Sequence, residues 1–363
     1  MAPDTNRTAS RQRLPLLGIT MGDPAGIGPE VAAKALANMS LRRACRVVVI
    51  GSFPVVQRTL KRLRSPLKAV RVTDIGLVPA GPKQVAVWDP LPRPLGAFVI
   101  GKAAPETGAA SVAFITEAVR LAEGGLIDAM VTGPINKEAM HMGGYRYPGH
   151  TELLADLTKS DEVGMMILGG PLKIMFTTTH VALRDLPARL TVPTIVKAIR
   201  LADRALRDSF RIRKPRIGVA ALNPHAGEHG LFGNEEQTTI QPAVEQARQA
   251  GIDASDPLPA DTLFGKAARG AYDGVVALYH DQGLIPLKLV AFGTCVNMTV
   301  GLPIIRTSVD HGTAYDIAGR GVAEAGSLIA AIKLAVQLVH IRRQAGRVGS
   351  GGPLRKSQMT GTG

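Results

Sequence analysis

Three histidines in this chain, His180, His225 and His280, each close a run of apolar residues: KIMFTTTH, RIGVAALNPH and GVVALYHD. Runs that are apolar at successive positions and then turn polar read as strands buried on both faces of a parallel sheet. Ligands bind beyond the carboxyl ends of such strands. Three imidazoles brought to one such edge can hold a divalent transition metal and leave positions open for substrate. Any one of these rings is as readily a surface or structural histidine; it is the repeated placement at strand ends that points to a metal. Of the others, His150 in YPGHTELLA and His311 in SVDHGT sit in polar, glycine-containing turns and are further candidates. His340 lies beside Arg342 and Arg343 in a helical stretch and reads as surface, and His141 and His229 have no such context.

A fourth strand-like run, AMVTGP, leads into TGPINK, so four runs end in chemically loaded residues: TGPINK, TTTHVALRD, LNPHAGE and LYHDQG. The segment LLGITMGDPAGIGPEVAAKALAN reads as strand, glycine-rich turn and helix, a pattern that can cradle phosphate on backbone N–H groups. Gly22, Gly26 and Gly28 do not follow the GxGxxG spacing, and Pro24 and Pro29 intrude. No acidic residue follows a second strand in the ribose-binding position, so a standard Rossmann site is poorly supported. A tight turn accounts for these glycines equally well. Asn297, Arg306, Asp310 and His311 cluster in GTCVNMTVGLPIIRTSVDHGTAYDIAGRG, and Lys288 precedes them in HDQGLIPLK. An Arg, a Lys and an Asn in one region suit recognition of a carboxylate or phosphate; an ion-pair network is the plainer alternative.

The elements that must position these residues alternate between strand-length apolar runs, RVVVIGS among them, and amphipathic stretches. ASVAFITEAVRLAEGG, PTIVKAIRLADRALRDSF and EEQTTIQPAVEQARQAG read as helices, and SLIAAIKLAVQLVHIRRQAG as a long terminal one. This alternation predicts an α/β fold with a mainly parallel sheet. A chain of 363 residues, 45% of them apolar, suits one large unit or two coupled lobes. No apolar run approaches the roughly 20 residues of a membrane span, which argues against a membrane role. MAPDTNRTASRQR lacks a secretory core and reads as a disordered arm, and RVGSGGPLRKSQMTGTG as a disordered tail. Cys45 and Cys295 form no CxxC pair, which argues against a disulfide scaffold and for a reducing, cytoplasmic setting. The net charge of +14 is spread over helix faces, and aromatics are 4% of the chain. That is too few for base-stacking platforms, so no nucleic-acid partner is expected; part of the charge can attract anionic ligands.

Taken together, GITMGDPAGIGPE, TGPINKEA, YPGHTELLA, TTTHVALRDLP, LNPHAGEHGLFGNEE, PADTLF, ALYHDQGLIPLK and VNMTVGLPIIRTSVDHGTAYDIAG follow in order between Leu17 and Ala330. They closely resemble the 4-hydroxythreonine-4-phosphate dehydrogenase family. The resemblance implies an isocitrate/isopropylmalate-dehydrogenase-like α/β/α fold with two lobes and an active-site cleft. The expected boundaries are residues 1–13 for the arm, 14–130 plus 310–345 for the first lobe, 131–309 for the second, and 346–363 for the tail. It implies a non-Rossmann NAD site, with NADP as the alternative and no cofactor-binding residue singled out. It further implies one divalent ion (Zn, Mg, Mn, Co or Ni) on His180, His225 and His280, shared across a homodimer, with the HDQG histidine coming from the neighbouring chain. His150, Thr151, Lys288, Asn297 and Arg306 are implied substrate contacts, and Asp261 in ADTLF a further active-site residue.

NKEAMHMGGYRYPGHTELLA and HDQGLIPLKLVAFG resemble the branch that oxidises 4-phospho-D-threonate or 4-phospho-D-erythronate more than the pyridoxine-biosynthesis branch, which is the alternative. GHTE and the IIRTS arginine are both intact, which disfavours a related cis-dihydrodiol dehydrogenase. The implied chemistry is oxidation of the 3-hydroxyl of a phosphorylated acid and decarboxylation of the keto product. In it Lys288 protonates or orients the enolate, Asp261 accepts a proton, and Arg306 and Asn297 hold anionic groups. A metabolite-binding protein without catalysis is the competing class; three strand-end histidines are more than mere binding requires.

Overall fold

A computed structural model of the chain describes residues 13–79, 81 and 83–349. The expected arm therefore lies outside the described residues except for Arg13. The strands are β1 (Leu16–Thr20), β2 (Arg46–Ile50), β3 (Lys68–Arg71), β4 (Gln84–Trp88), β5 (Ala129–Thr132) and β6 (Gly164–Gly169). They continue with β7 (Leu172–Phe176), β8 (Arg216–Ala220), β9 (Asp253–Leu258), β10 (Gly274–Ala277), β11 (Val296–Val300) and β12 (Arg306–Val309). All five apolar runs taken as strands are strands, and β1, β5 and β10 are buried at every position. Helices cover the sheet, as a parallel arrangement requires.

The twelve strands form one sheet in the order β3-β4-β2-β1-β5-β12-β11-β6-β7-β10-β8-β9. This is not the strand order of a standard Rossmann fold. From β3 to β12 every neighbouring pair is parallel, and so is every pair from β7 to β9. Between the two blocks, the pairs β12–β11, β11–β6 and β6–β7 are all antiparallel. Three reversals leave the two parallel blocks running in opposite directions. The four loaded strand ends therefore do not share an edge as the sequence suggests: TGPINK follows β5 in one block, and the three histidine motifs follow β7, β8 and β10 in the other.

Local sequence accounts for the covering helices. In Val192–Phe210 the buried positions Ile195, Ala198, Ile199, Ala202, Ala205 and Leu206 recur at helical spacing. Thr191 and Thr194 close its start as a capping box, and Arg211 ends it in a left-handed conformation. The terminal helix, Gly326–Gly349, runs four residues into the segment expected to be a disordered tail. Residues 350–363 lie outside the described residues. No helix among the described residues is long and apolar enough to cross a membrane.

Helix Pro105–Glu123 passes so close to helix Lys137–Met142 that a Cβ on Gly108 would lie 1.9 Å from the carbonyl oxygen of Ala139. Alanine there would gain about 1 kcal/mol of helix propensity. It would also collide with backbone that cannot swing aside, at a cost of about 1–3 kcal/mol or more. Gly108→Ala should therefore lower the urea midpoint, and a raised midpoint would show that the helices are free to separate.

Candidate active site

A cavity of about 590 Å³ lies across the reversed strands rather than along one edge. Because Asn297 pairs with Ile167, and side chains alternate with period two, Met165, Ile167, Asn297 and Ser308 share one face of the sheet, which floors the cavity. One wall follows β5: Pro134, Lys137 and the start of helix His150–Leu157. Opposite it are Thr177–His180 after β7 and His280 after β10, while Asp310 and His311 after β12 close a third side. The site thus draws on strand ends from both blocks, which only the antiparallel middle brings within reach of one another.

His180 and His280 face each other with ring centroids 5.7 Å apart. The β7–β10 pairing continues past the strands to align them, Thr178 donating through its N–H (3.2 Å) and Oγ1 (2.7 Å) to the Leu278 carbonyl. Gln282 fixes the other side, accepting from Leu278 N at 2.7 Å and donating to Ala221 O at 2.7 Å. His280 Nδ1 meets Asp281 Oδ1 at 2.6 Å and His225 Nδ1 meets Glu228 Oε2 at 3.1 Å. A carboxylate on Nδ1 leaves Nε2 as the free donor atom, the arrangement typical of metal-ligating histidines. Burial, with the charges of Lys137 and His280, lowers the His180 pKa below its ordinary value, so its lone pair is available at neutral pH.

His225 does not join them within the chain. It lies outside the cavity lining, exposed and set edge-on to Phe232, and no group of three metal-binding side chains assembles among the described residues. Within the single chain, adjacent strands β7 and β10 place His180 and His280 together, and His225 lies apart from them. Asp261 also lies outside the lining; it is exposed and accepts from Thr262 N at 2.8 Å. Lys288, on helix His280–Ala291, is likewise not among the lining residues.

A cation is buried on the floor's face of the sheet without itself lining the cavity. Arg306 is 1% exposed, and its guanidinium bonds only hydroxyls: Thr132 Oγ1 at 2.7 and 3.2 Å and Thr299 Oγ1 at 2.8 Å. Burial lowers its pKa, and no carboxylate pairs with it among the described residues. His150 at the helix start, Thr177 and Asn297 each bring a buried polar atom without a partner to the cavity, namely Nε2, Oγ1 and Oδ1. Such atoms are costly unless a ligand or water satisfies them. Thr151 lines the same wall. Lys137, Glu152 and Arg189 line the cavity too and were not singled out from sequence. The signal for Lys137 was present in TGPINK, where Asn136 caps the helix by accepting from Ala139 N at 2.8 Å and Lys137 opens it. A cation at a helix N-terminus opposes the macrodipole.

The glycine-rich turn is a packing device. Its N–H groups are already taken: Asp23 N by Pro134 O, Ala25 N by Asp23 Oδ1, and Ile27 N by Thr313 O. A Cβ on Gly28 would sit 2.1 Å from Met21 O. The turn thus braces the segment after β5 and the segment after β12, both of which wall the site.

Burial and then the charge of Arg306 hold His150 well below its ordinary pKa of 6.5, so it is neutral in the folded chain. As pH falls below 6.5 the unfolded chain takes up a proton there that the folded chain refuses. The stability linked to His150 is therefore complete above that value and lost toward acid. Urea midpoints at pH 7.5 and pH 5 should differ less in His150→Gln than in the wild type. An equal difference would remove His150 as a cause.

Comparison with known proteins identifies the family. The family "Pyridoxal phosphate biosynthetic protein PdxA" matches residues 43–335. A 4-hydroxythreonine-4-phosphate dehydrogenase of Geobacter metallireducens is 47% identical over 92% of this chain and 98% of its own length. A D-threonate 4-phosphate dehydrogenase of Cupriavidus necator is 44% identical over 90% of this chain and 97% of its own. The crystal structure of a 4-hydroxythreonine-4-phosphate dehydrogenase from Klebsiella pneumoniae superposes with a TM-score of 0.82 at 42% identity, covering 90% of this chain and 99% of that one. By sequence along nearly its whole length, and by fold, the chain belongs to the PdxA family of dehydrogenases.

Proposed function

We propose that the chain oxidises and decarboxylates a phosphorylated 3-hydroxy acid, 4-phospho-D-threonate or 4-phospho-D-erythronate, with NAD as hydride acceptor and NADP as the alternative. The observation that carries this reading is one cavity that sets a histidine pair over a buried guanidinium with no carboxylate partner among the described residues. 4-Hydroxythreonine 4-phosphate is the alternative substrate, supported by the near-equal similarity of relatives bearing either name.

The donor set fits a divalent ion: His180 and His280 from one chain, with His225 from a second copy completing the set. Such an ion would supply Lewis acidity, lowering the pKa of the substrate hydroxyl and polarising the keto product. The chain's own residues do the rest. Asp281 orients His280, Arg306 and Lys137 set a positive field for the substrate's carboxylate and phosphate, and Asn297 Oδ1 accepts from a substrate hydroxyl. Lys288 and Asp261 remain the proposed proton-handling groups, Asp261 reaching a site only from a second copy.

A second copy has a surface to dock on. Ile285, Leu289 and Phe292 recur along helix His280–Ala291 and its end, 68%, 86% and 84% exposed, with Val290 beside them. This apolar stripe lies on the helix that His280 opens, so burying it in a C₂ dimer would bring two copies of that helix to one interface.

Reduction of NAD or NADP, followed at 340 nm with phosphothreonate, phosphoerythronate and 4-hydroxythreonine phosphate, tests the function. Turnover should appear with one of them, vanish on chelation and return with a divalent ion. Metal-loaded protein that reduces neither cofactor with any of the three would leave a binding role only.

Mixed dimers test the shared site. His180→Ala and His225→Ala chains, each inactive, should together recover roughly a quarter of wild-type activity, because one site of each mixed dimer is intact. His180→Ala with His280→Ala should recover none. The reverse pattern would restore the grouping of His180 with His225.

A further inference from the structure

The turn that carries His225 is wound left-handed. His225, Ala226, Gly227, Glu228 and His229 have φ values of 52, 55, 80, 44 and 56°. Four of the five carry a Cβ, for which this conformation is costly, and runs of it are rare. Such strain persists only where the surroundings over-determine it. Apolar packing does not do so here, since within Pro224–Gly230 only Gly227 is buried.

One carboxylate does. Glu236 is 5% exposed. Its Oε1 accepts from Leu222 N at 2.8 Å and Asn223 N at 2.7 Å, and its Oε2 accepts from Asn223 Nδ2 at 3.0 Å. These are the residues immediately before the left-handed turn. A Cβ on Gly227 would come within 2.8 Å of the same Oε2, so the turn rests directly on the carboxylate. Glu236 also opens a π-turn, Glu236–Ile240, an irregularity that concentrates at functional sites. His225 projects from this base with its side chain 68% exposed and its Nδ1 held by Glu228.

We infer that Glu236 is the positioning residue of His225: by anchoring the left-handed turn it fixes where the imidazole enters the second subunit's site. This rests on the metal reading above. It goes beyond that reading in naming a residue that touches neither metal nor substrate, yet sets the affinity for the ion.

Glu236→Gln is the sharp test, because every recorded contact of both oxygens is an N–H donor. Whichever way the amide is turned, its NH₂ faces a donor. In the intact homodimer, calorimetric titration with Mn²⁺ and Zn²⁺ should show binding weakened about 10- to 100-fold, the range for residues that support a metal ligand. Amide exchange across 222–231 should quicken at least as clearly, while the thermal midpoint and the exchange of β7 and β10 stay near wild type. The exposed Glu245→Gln should change neither. Metal affinity and exchange of 222–231 both within twofold of wild type in Glu236→Gln would overturn the inference. Weakened metal binding with unchanged exchange would overturn it as well, since the effect would then not pass through the turn. Wild-type protein that takes up no ion would sink the metal reading instead, and the exchange comparison would still decide whether Glu236 holds the turn.

Discussion

The reversal of strand direction at β12-β11-β6-β7 is the constraint on which the rest depends. In a wholly parallel sheet every loaded loop would gather at one edge. Here the two parallel blocks run oppositely, so the segment after β5 and the segments after β7 and β10 approach the same cavity from opposite ends. The antiparallel strands between them supply a floor with its own chemistry, because period-two alternation turns Asn297, Ser308 and Arg306 to one face.

That floor sets the electrostatics. A guanidinium buried against two threonine hydroxyls keeps its charge but has no countercharge among the described residues, an arrangement that costs stability unless an anion completes it. Burial and then the charge of that guanidinium lower the His150 pKa, whereas burial and then Lys137 and His280 lower that of His180. Neutral imidazoles and an unanswered cation are complementary demands: the first suits a metal ion, the second an anionic substrate.

His225 and Asp261 stay outside the cavity of the single chain for a geometric reason. The strand order β7-β10-β8-β9 sets His180, His280, His225 and Asp261 in a row along one sheet edge. Neighbouring strands lie about 4.8 Å apart, so His180 and His280 can meet across β7 and β10, while the turn after β8 carries His225 away from them. His180 reaches His280, whereas His225 sits beyond on a strained turn and Asp261 beyond that at the edge.

Much of this was open to the sequence. Apolar runs ending in polar residues marked the buried strands, since burial on both faces leaves no alternation, and helical periodicity marked the covering helices. The strand-end position singled out His180 and His280, and the glycine spacing argued against a Rossmann loop. What sequence alone left undecided is whatever depends on which strands become neighbours and which way they run. Direction decided that TGPINK opposes the histidine motifs and still shares their cavity through Lys137. Adjacency decided that His180 pairs with His280 and not with His225. Burial decided that Arg306 lies beneath the lining of the cavity, that the glycine-rich turn is a brace, and that Glu236, one acidic residue of GNEE, is an anchor. Local patterns report what each element buries. Only the three-dimensional order of the strands determines what those elements bring together.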